Sequence, residues 1–212
     1  MSTMEWCDVK PLLAGKSEFG AVYGVTAARV AEWLTRGTLD YSHARVISGS
    51  PYWLLEFVRR YGELTIRSKA VNETALQTIV DAQQPAAWVA DIADLPVIVG
   101  QQEVMQIFGL EHGTLVEQAQ KRGAWPVGDW NLSGSHLWLL DTALDAAALV
   151  AKDPTARPWA PAEVSRIRHR AVARIWEPDA EVVKALREGS YDGPGSKILP
   201  RGRAAKKAAP AD

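Results

Sequence analysis

Apolar residues near the start of the chain recur with a helical period. Phe19, Val22 and Tyr23 stand at positions i, i+3 and i+4, Ser17 precedes them as a capping residue, and Gly24 follows them. A second period begins after Thr26, which is suited to cap a helix that buries Val30, Trp33 and Leu34 and stops at Gly37. The pattern predicts two short helices that meet across a tight turn.

The pattern then changes to that of a hairpin. Residues 45–53, RVISGSPYW, read as two short strands around a Gly-Ser turn, and a further helix is predicted from about Leu54 to Tyr61. The predicted order is helix, turn, helix, hairpin, helix.

This series occurs twice. Residues 11–55 (copy 1) align without a gap with residues 96–140 (copy 2) at an offset of 85, with eleven identities in 45 positions. Roughly three identities are expected by chance at ordinary residue frequencies. The identical pairs are Pro11/Pro96, Gly15/Gly100, Glu18/Glu103, Gly24/Gly109, Glu32/Glu117, Ser48/Ser133, Gly49/Gly134, Ser50/Ser135, Trp53/Trp138, Leu54/Leu139 and Leu55/Leu140. The repeat predicts two copies of one small fold, with Trp53 and Trp138 in equivalent buried places.

Residues 18–37, EFGAVYGVTAARVAEWLTRG, resemble the winged helix-turn-helix domains of the excisionase (AlpA-like) and MerR type, and VISGSPYW resembles their wing. The resemblance implies a mainly α fold with small β-hairpin wings, built as two tandem winged helix-turn-helix modules with C-terminal helices and a disordered tail. The expected boundaries are 1–63 for module 1, 64–95 for a helical linker, 96–150 for module 2, 151–189 for C-terminal amphipathic helices and 190–212 for a basic tail.

In that family the second helix enters the major groove, so the resemblance implies duplex DNA as the partner of module 1. Arg29 is the one side chain there that can bind a guanine edge bidentately, although it is equally well explained as a solvated helix residue. Arg36 and Arg45 suit phosphate contact, and Ser48 and Ser50 offer hydroxyls. The expected DNA-binding residues are Thr26, Ala27, Arg29, Arg36, Arg45, Ser48 and Ser50.

Copy 2 departs from this pattern at the positions that are expected to contact DNA in copy 1. Glu111, His112, Gly113 and Thr114 replace Thr26 to Arg29, and Trp130 replaces Arg45. A carboxylate there faces phosphate unfavourably. Trp125 and Trp130 suit an exposed protein contact, and they are also candidates for packing between the modules. Copy 2 is therefore interpreted as a degenerate module for self-association or partner binding, with a second DNA-reading module as the alternative.

Charge is unevenly distributed. Residues 1–70 carry nine basic and seven acidic residues, residues 71–150 carry two and ten, and residues 151–212 carry thirteen and eight. Nucleic-acid contact is thus expected from the ends of the chain. An amphipathic helix over 161–176 and the tail add possible backbone contacts, which are Arg166, Arg170, Arg174, Arg201 and Arg203. A solvated helix face and a solubilising tail are the alternative interpretations.

The sequence signals typical of disulfide-rich, metal-binding, enzymatic and membrane-spanning proteins are missing. Cys7 is the sole cysteine and the four histidines are scattered, so neither a disulfide framework nor a metal site is expected. Phosphate-binding loops, nucleophile elbows and paired carboxylates are missing, which argues against an enzyme, and no cofactor is expected. Neither a signal peptide nor an apolar stretch of membrane-spanning length is present, so a cytoplasmic protein is expected.

The sequence thus favours a DNA-binding regulator, either a transcriptional regulator or a recombination-directionality factor of bacterial, plasmid or phage type. The alternative is a non-enzymatic adaptor or inhibitor in a nucleoprotein assembly, which the low positive charge favours.

Overall fold

The computed structural model describes residues 10–64, 70–121, 123, 125–152 and 177–198. Within these residues the chain is mixed α/β, with eight α-helices and sheets of two or three strands, none closed into a barrel. The helices are α1 Lys16–Val22, α2 Ala27–Thr35, α3 Leu55–Leu64, α4 Glu73–Gln83, α5 Gln101–Ile107, α6 Thr114–Lys121, α7 Leu140–Lys152 and α8 Ala180–Arg187. The strands are β1 Lys10–Pro11, β2 Leu13–Ala14, β3 Ala44–Ile47, β4 Ser50–Leu54, β5 Ala86–Ala87, β6 Ile98–Val99, β7 Trp130–Leu132 and β8 Ser135–Leu139.

The same topology recurs in both copies. Strands β2, β4 and β3 form one antiparallel sheet with β4 in the centre, and β6, β8 and β7 pair in the same order. The register is also equivalent, because Ala14 pairs with Trp53 in copy 1 and Val99 pairs with Trp138 in copy 2. β1 and β5 form a separate parallel pair.

Each copy has its own apolar core, between its sheet and its helices. Trp53 and Trp138 lie in these cores at 0% and 1% exposure, so the prediction of equivalent buried tryptophans is confirmed. Phe19 packs edge-on against Trp53, with ring centroids 5.3 Å apart. In copy 2 Val104 stands in the place of Phe19, and the aromatic ring that packs against Trp138 is that of Trp125, with ring centroids 6.3 Å apart.

The repeated unit extends beyond the sequence match. Helix α4, within the predicted linker, packs on α1, and α8 packs on α5. The Asn72 amide donates to the Val22 carbonyl at 2.8 Å, and the Asp179 amide donates to the Ile107 carbonyl at 2.7 Å. Val22 and Ile107 are equivalent residues. A capped helix from a non-aligned segment therefore completes each copy.

The two sheets face each other through a third apolar cluster. Along β4 successive side chains point to opposite faces, so Trp53 enters the core of copy 1 whereas Tyr52 and Leu54 point towards copy 2. This explains why the strand is buried along most of its length. The cluster contains Leu13, Ile47, Tyr52, Leu54, Leu95, Ile98, Trp130, Leu132 and Leu137.

Several local predictions need correction. Ser17 does not cap α1, because the helix starts at Lys16 and the Glu18 carboxylate accepts the Gly15 amide at 3.0 Å. Trp125 and Trp130 are buried, at 5% and 2% exposure, rather than exposed. Trp125 fills the core of copy 2, whereas Trp130 lies in the apolar cluster between the copies, so the prediction that Trp130 packs between the modules is confirmed. The prediction of disorder from Ser190 onwards is wrong for residues 190–198, which form turns that include Gly195, whose carbonyl accepts the Gly49 amide at 2.8 Å.

Two sequence-based predictions lie outside the described residues. These are the amphipathic helix over 161–176 and the tail beyond residue 198. Among the helices that the structure does describe, none has the length and apolar character needed to cross a bilayer.

Candidate nucleic-acid interface

The turn between α1 and α2 depends on two glycines. Gly24 adopts a positive φ of 63°, a conformation that side chains with a Cβ rarely adopt. The Val25 amide donates to the Gly20 carbonyl at 2.8 Å, and a Cβ at Gly20 would lie 2.5 Å from the Val25 carbonyl oxygen. The two helices therefore approach closely because position 20 has no side chain.

Helix α2 is anchored on one side and open on the other. Val30 and Trp33 are buried in the core of copy 1, while Thr26, Ala28 and Arg29 are exposed and Ala27 is half-buried. As predicted, Thr26 is the N-cap, and its Oγ1 accepts the Arg29 amide at 3.3 Å. The first turn thus presents a polar surface on a rigid support.

The exposed face of α2 carries a small charge cluster. Glu32 pairs with Arg29 one turn before it and with Arg36 one turn after it, the latter at 3.5 Å. The three side chains are between 48% and 63% exposed to solvent. Exposed ion pairs of this kind contribute about 0–1 kcal/mol, so a phosphate or a base edge can compete for either arginine.

Arg45 and Ser50 do not join that cluster. Arg45 lies opposite Tyr52 in the β3–β4 ladder, on the sheet face that turns towards copy 2, and its Nη2 donates to the Ile92 carbonyl at 3.4 Å. Ser50 borders a cleft of about 620 Å³ between the copies, which is also lined by Lys121 and His136.

Ser48 is held by copy 2. Its hydroxyl donates to Glu103 Oε2 at 2.6 Å, its amide donates to Glu103 Oε1 at 2.8 Å, and the Gln102 amide donates to its Oγ at 2.9 Å. The hairpin tip therefore lies against the start of α5. The repeat contained a signal for this contact, because both Ser48/Ser133 and Glu18/Glu103 are identical pairs.

The corresponding helix of copy 2 starts two residues later than the repeat predicts. Met105 occupies the position equivalent to Gly20, and the Met105 sulfur would lie 3.4 Å from a Cβ at Gly113. Glu111 and His112 are exposed ahead of α6, which begins at Thr114. Copy 2 therefore lacks both the close helix approach and the arginine of copy 1.

The remaining candidates for phosphate contact, Arg166, Arg170, Arg174, Arg201 and Arg203, lie outside the described residues. Among the residues that are described, no group of three or more His, Cys, Asp and Glu is arranged to hold a metal ion. Comparisons of the chain with family models, with curated proteins and with solved structures found no match.

Proposed function

We propose that the chain is a DNA-binding regulatory protein, a transcriptional regulator or recombination-directionality factor, that reads duplex DNA through α2. The observation that carries the proposal is the open first turn of α2, capped by Thr26 and supported from behind by the buried Trp33. This follows the docking of winged helix-turn-helix proteins, whose second helix contacts base edges through its N-terminal residues.

Each exposed residue of α2 has a role in the proposal. Arg29 donates two hydrogen bonds to a guanine edge, which typically gives about 1–3 kcal/mol of discrimination against other bases. Thr26 and the neighbouring Ala27 contact a thymine methyl or the backbone. Arg36, at the C-terminal end of the helix, binds phosphate. Glu32 releases both arginines as they bind, which favours duplexes that supply both contacts.

The β3–β4 hairpin contacts copy 2 rather than DNA. Ser48 is left out of the DNA-binding set because Glu103 already holds its hydroxyl and amide. Arg45 is left out because its strand position directs it towards copy 2. The basic residues after 160 make further phosphate contacts, and this assignment depends on their positive charge in the sequence.

A binding titration of the whole chain tests the proposal. A preferred duplex is first selected from a randomised pool, and its affinity is then measured at two salt concentrations against a scrambled duplex. We expect tighter binding to the selected duplex and weaker binding to both at higher salt, because bound phosphates release counterions. Failure to enrich any sequence, with no binding at low salt, overturns the proposal.

A second candidate function is a protein adaptor or inhibitor within a nucleoprotein assembly. It is favoured by Glu32, which neutralises the arginines of α2, and by the excess of acidic residues over 71–150. Under this alternative the chain ignores duplex DNA at every salt concentration.

A further inference from the structure

The contacts between the copies are reciprocal. Ser48 of copy 1 binds Glu103 of copy 2, and its equivalent Ser133 binds Glu18 of copy 1. The hydroxyl and amide of Ser133 donate to Glu18 at 2.8 Å each, and the Ser17 amide donates to Ser133 Oγ at 3.0 Å. Exchanging the two copies reproduces the same set of bonds, so the copies are related by an approximate two-fold axis.

An interface that uses the same patch on both sides is the kind that joins the subunits of a two-fold dimer. Here the same sheet face serves both copies: Leu13 and Ile98 are equivalent, as are Ile47 and Leu132, and all four lie in the shared cluster. The chain therefore holds within itself the type of interface that a homodimer forms between chains.

Asymmetric substitutions favour pairing of copy 1 with copy 2. The Trp130 indole lies at 2% exposure in the interface and donates to the Pro11 carbonyl at 2.9 Å. Its equivalent in copy 1 is Arg45. Two copy 1 surfaces facing each other would place Arg45 where the Trp130 indole now packs, so the apolar contacts of that indole and its hydrogen bond would both be lost. Two chains thus have no equally good interface through copy 1.

The layer order sets the distance between the two helix pairs. The helices of copy 1, its sheet, the sheet of copy 2 and its helices form four successive layers, as the three apolar clusters between them show. With about 10 Å per layer, the outer helical layers lie about 30 Å apart. This is close to the separation of about 34–36 Å between half-sites one turn apart on DNA.

We propose that copy 2 stands in the place of the second subunit of a dimer, so that a single chain binds one duplex at an asymmetric site with two halves about one turn apart. The inference rests on the proposed function. Copy 1 reads bases through Arg29. Copy 2 carries Thr114 at that position, so it reads no guanine there, and Lys121, at the position of Arg36, contacts phosphate.

Stoichiometry gives the first test. Sedimentation velocity of the whole chain, alone and with the selected duplex, is expected to give a monomer and a 1:1 complex. A dimer of the free chain, or two chains on one duplex, overturns the internal dimer while leaving DNA reading intact. Absence of any complex instead removes the proposed function, and the inference with it.

A symmetrised variant gives the second test. Glu111→Thr with Thr114→Arg gives copy 2 the residues that copy 1 has at Thr26 and Arg29. This variant should prefer an inverted repeat of the α2 half-site over the original duplex by on the order of ten-fold or more. The control Glu111→Thr alone should keep the asymmetric preference, and circular dichroism checks that both variants fold. An unchanged preference in the folded double variant overturns the inference.

Discussion

Removal of the Ser48 hydroxyl tests the contact between the copies. In Ser48→Ala the Glu103 carboxylate loses a donor at 2.6 Å and the Gln102 amide loses its acceptor at 2.9 Å. Glu103 is 3% exposed, so water replaces the lost donor poorly. The carboxylate keeps the Ser48 and Gly100 amides as donors.

The magnitude follows from these contacts. A hydrogen bond to a charged group contributes about 1.5–3 kcal/mol, and the exposed Gln102 amide can turn to water at little cost. We therefore expect Ser48→Ala to lower the free energy of unfolding by about 2–3 kcal/mol.

Ser133→Ala is the matched control. It removes the same pair of bonds, to Glu18 and to the Ser17 amide, but Ser133 is exposed and Glu18 is only half-buried. Water can replace these bonds, so we expect a loss of about 1 kcal/mol or less. Both serines have φ near +50°, so backbone effects of the alanine are comparable at the two sites.

Urea unfolding of the whole chain, followed by tryptophan fluorescence, measures both variants. Equal losses, or a larger loss for Ser133→Ala, would show that the burial of Glu103 does not determine the cost of removing the hydroxyl. Ser48→Gly distinguishes the loss of the hydroxyl from the backbone strain of alanine at positive φ, because glycine adopts this conformation without strain. Ser48→Gly should therefore be less destabilised than Ser48→Ala.

Three further predictions concern the core, the tyrosines and the charge of α2. Trp53→Ala and Trp138→Ala should each lower the free energy of unfolding by about 3–5 kcal/mol, and an unchanged melting temperature in either would contradict its burial. Burial raises the pKa of Tyr52, and it raises that of Tyr191 to about 12. Because folding favours the protonated phenols, their contribution to stability is complete below pH 10 and should be lost as the pH rises towards 12. An ultraviolet titration in which every tyrosine ionises near pH 10 would contradict this. Arg36→Ala should weaken binding to selected and scrambled duplexes alike and make the salt dependence shallower by about one ion; a loss confined to the selected duplex would place Arg36 on a base.

The sequence predicted the local chemistry of copy 1 well. Thr26 caps α2, Gly24 and Gly37 both adopt positive φ after a helix, and Trp53 is buried. Such features depend on residues within a few positions of each other, so spacing alone reveals them. The 85-residue repeat then carried the burial of Trp53 over to Trp138.

The relation between the copies was not predictable in the same way. The run of apolar residues in β4 is consistent with any buried strand, and it does not show that a second sheet covers Tyr52. The sequence left Trp130 with two interpretations, an exposed protein contact and packing between the modules, because its equivalent, Arg45, does not show which face of the strand is covered. Helices α4 and α8 were not recognised as equivalent because their spacing from the copies differs and no identities link them.

Arg29 in copy 1 and Thr114 in copy 2 occupy equivalent positions on the second helices, and replacing each in turn tests whether α2 reads DNA. Competition binding measures the ratio of affinities for the selected and scrambled duplexes. If α2 reads DNA, Arg29→Ala should lose about 1–3 kcal/mol of this discrimination while nonspecific binding is nearly intact, and Thr114→Ala should leave it unchanged. Full discrimination in Arg29→Ala, or an equal loss in Thr114→Ala, would show that Arg29 of α2 does not read a base.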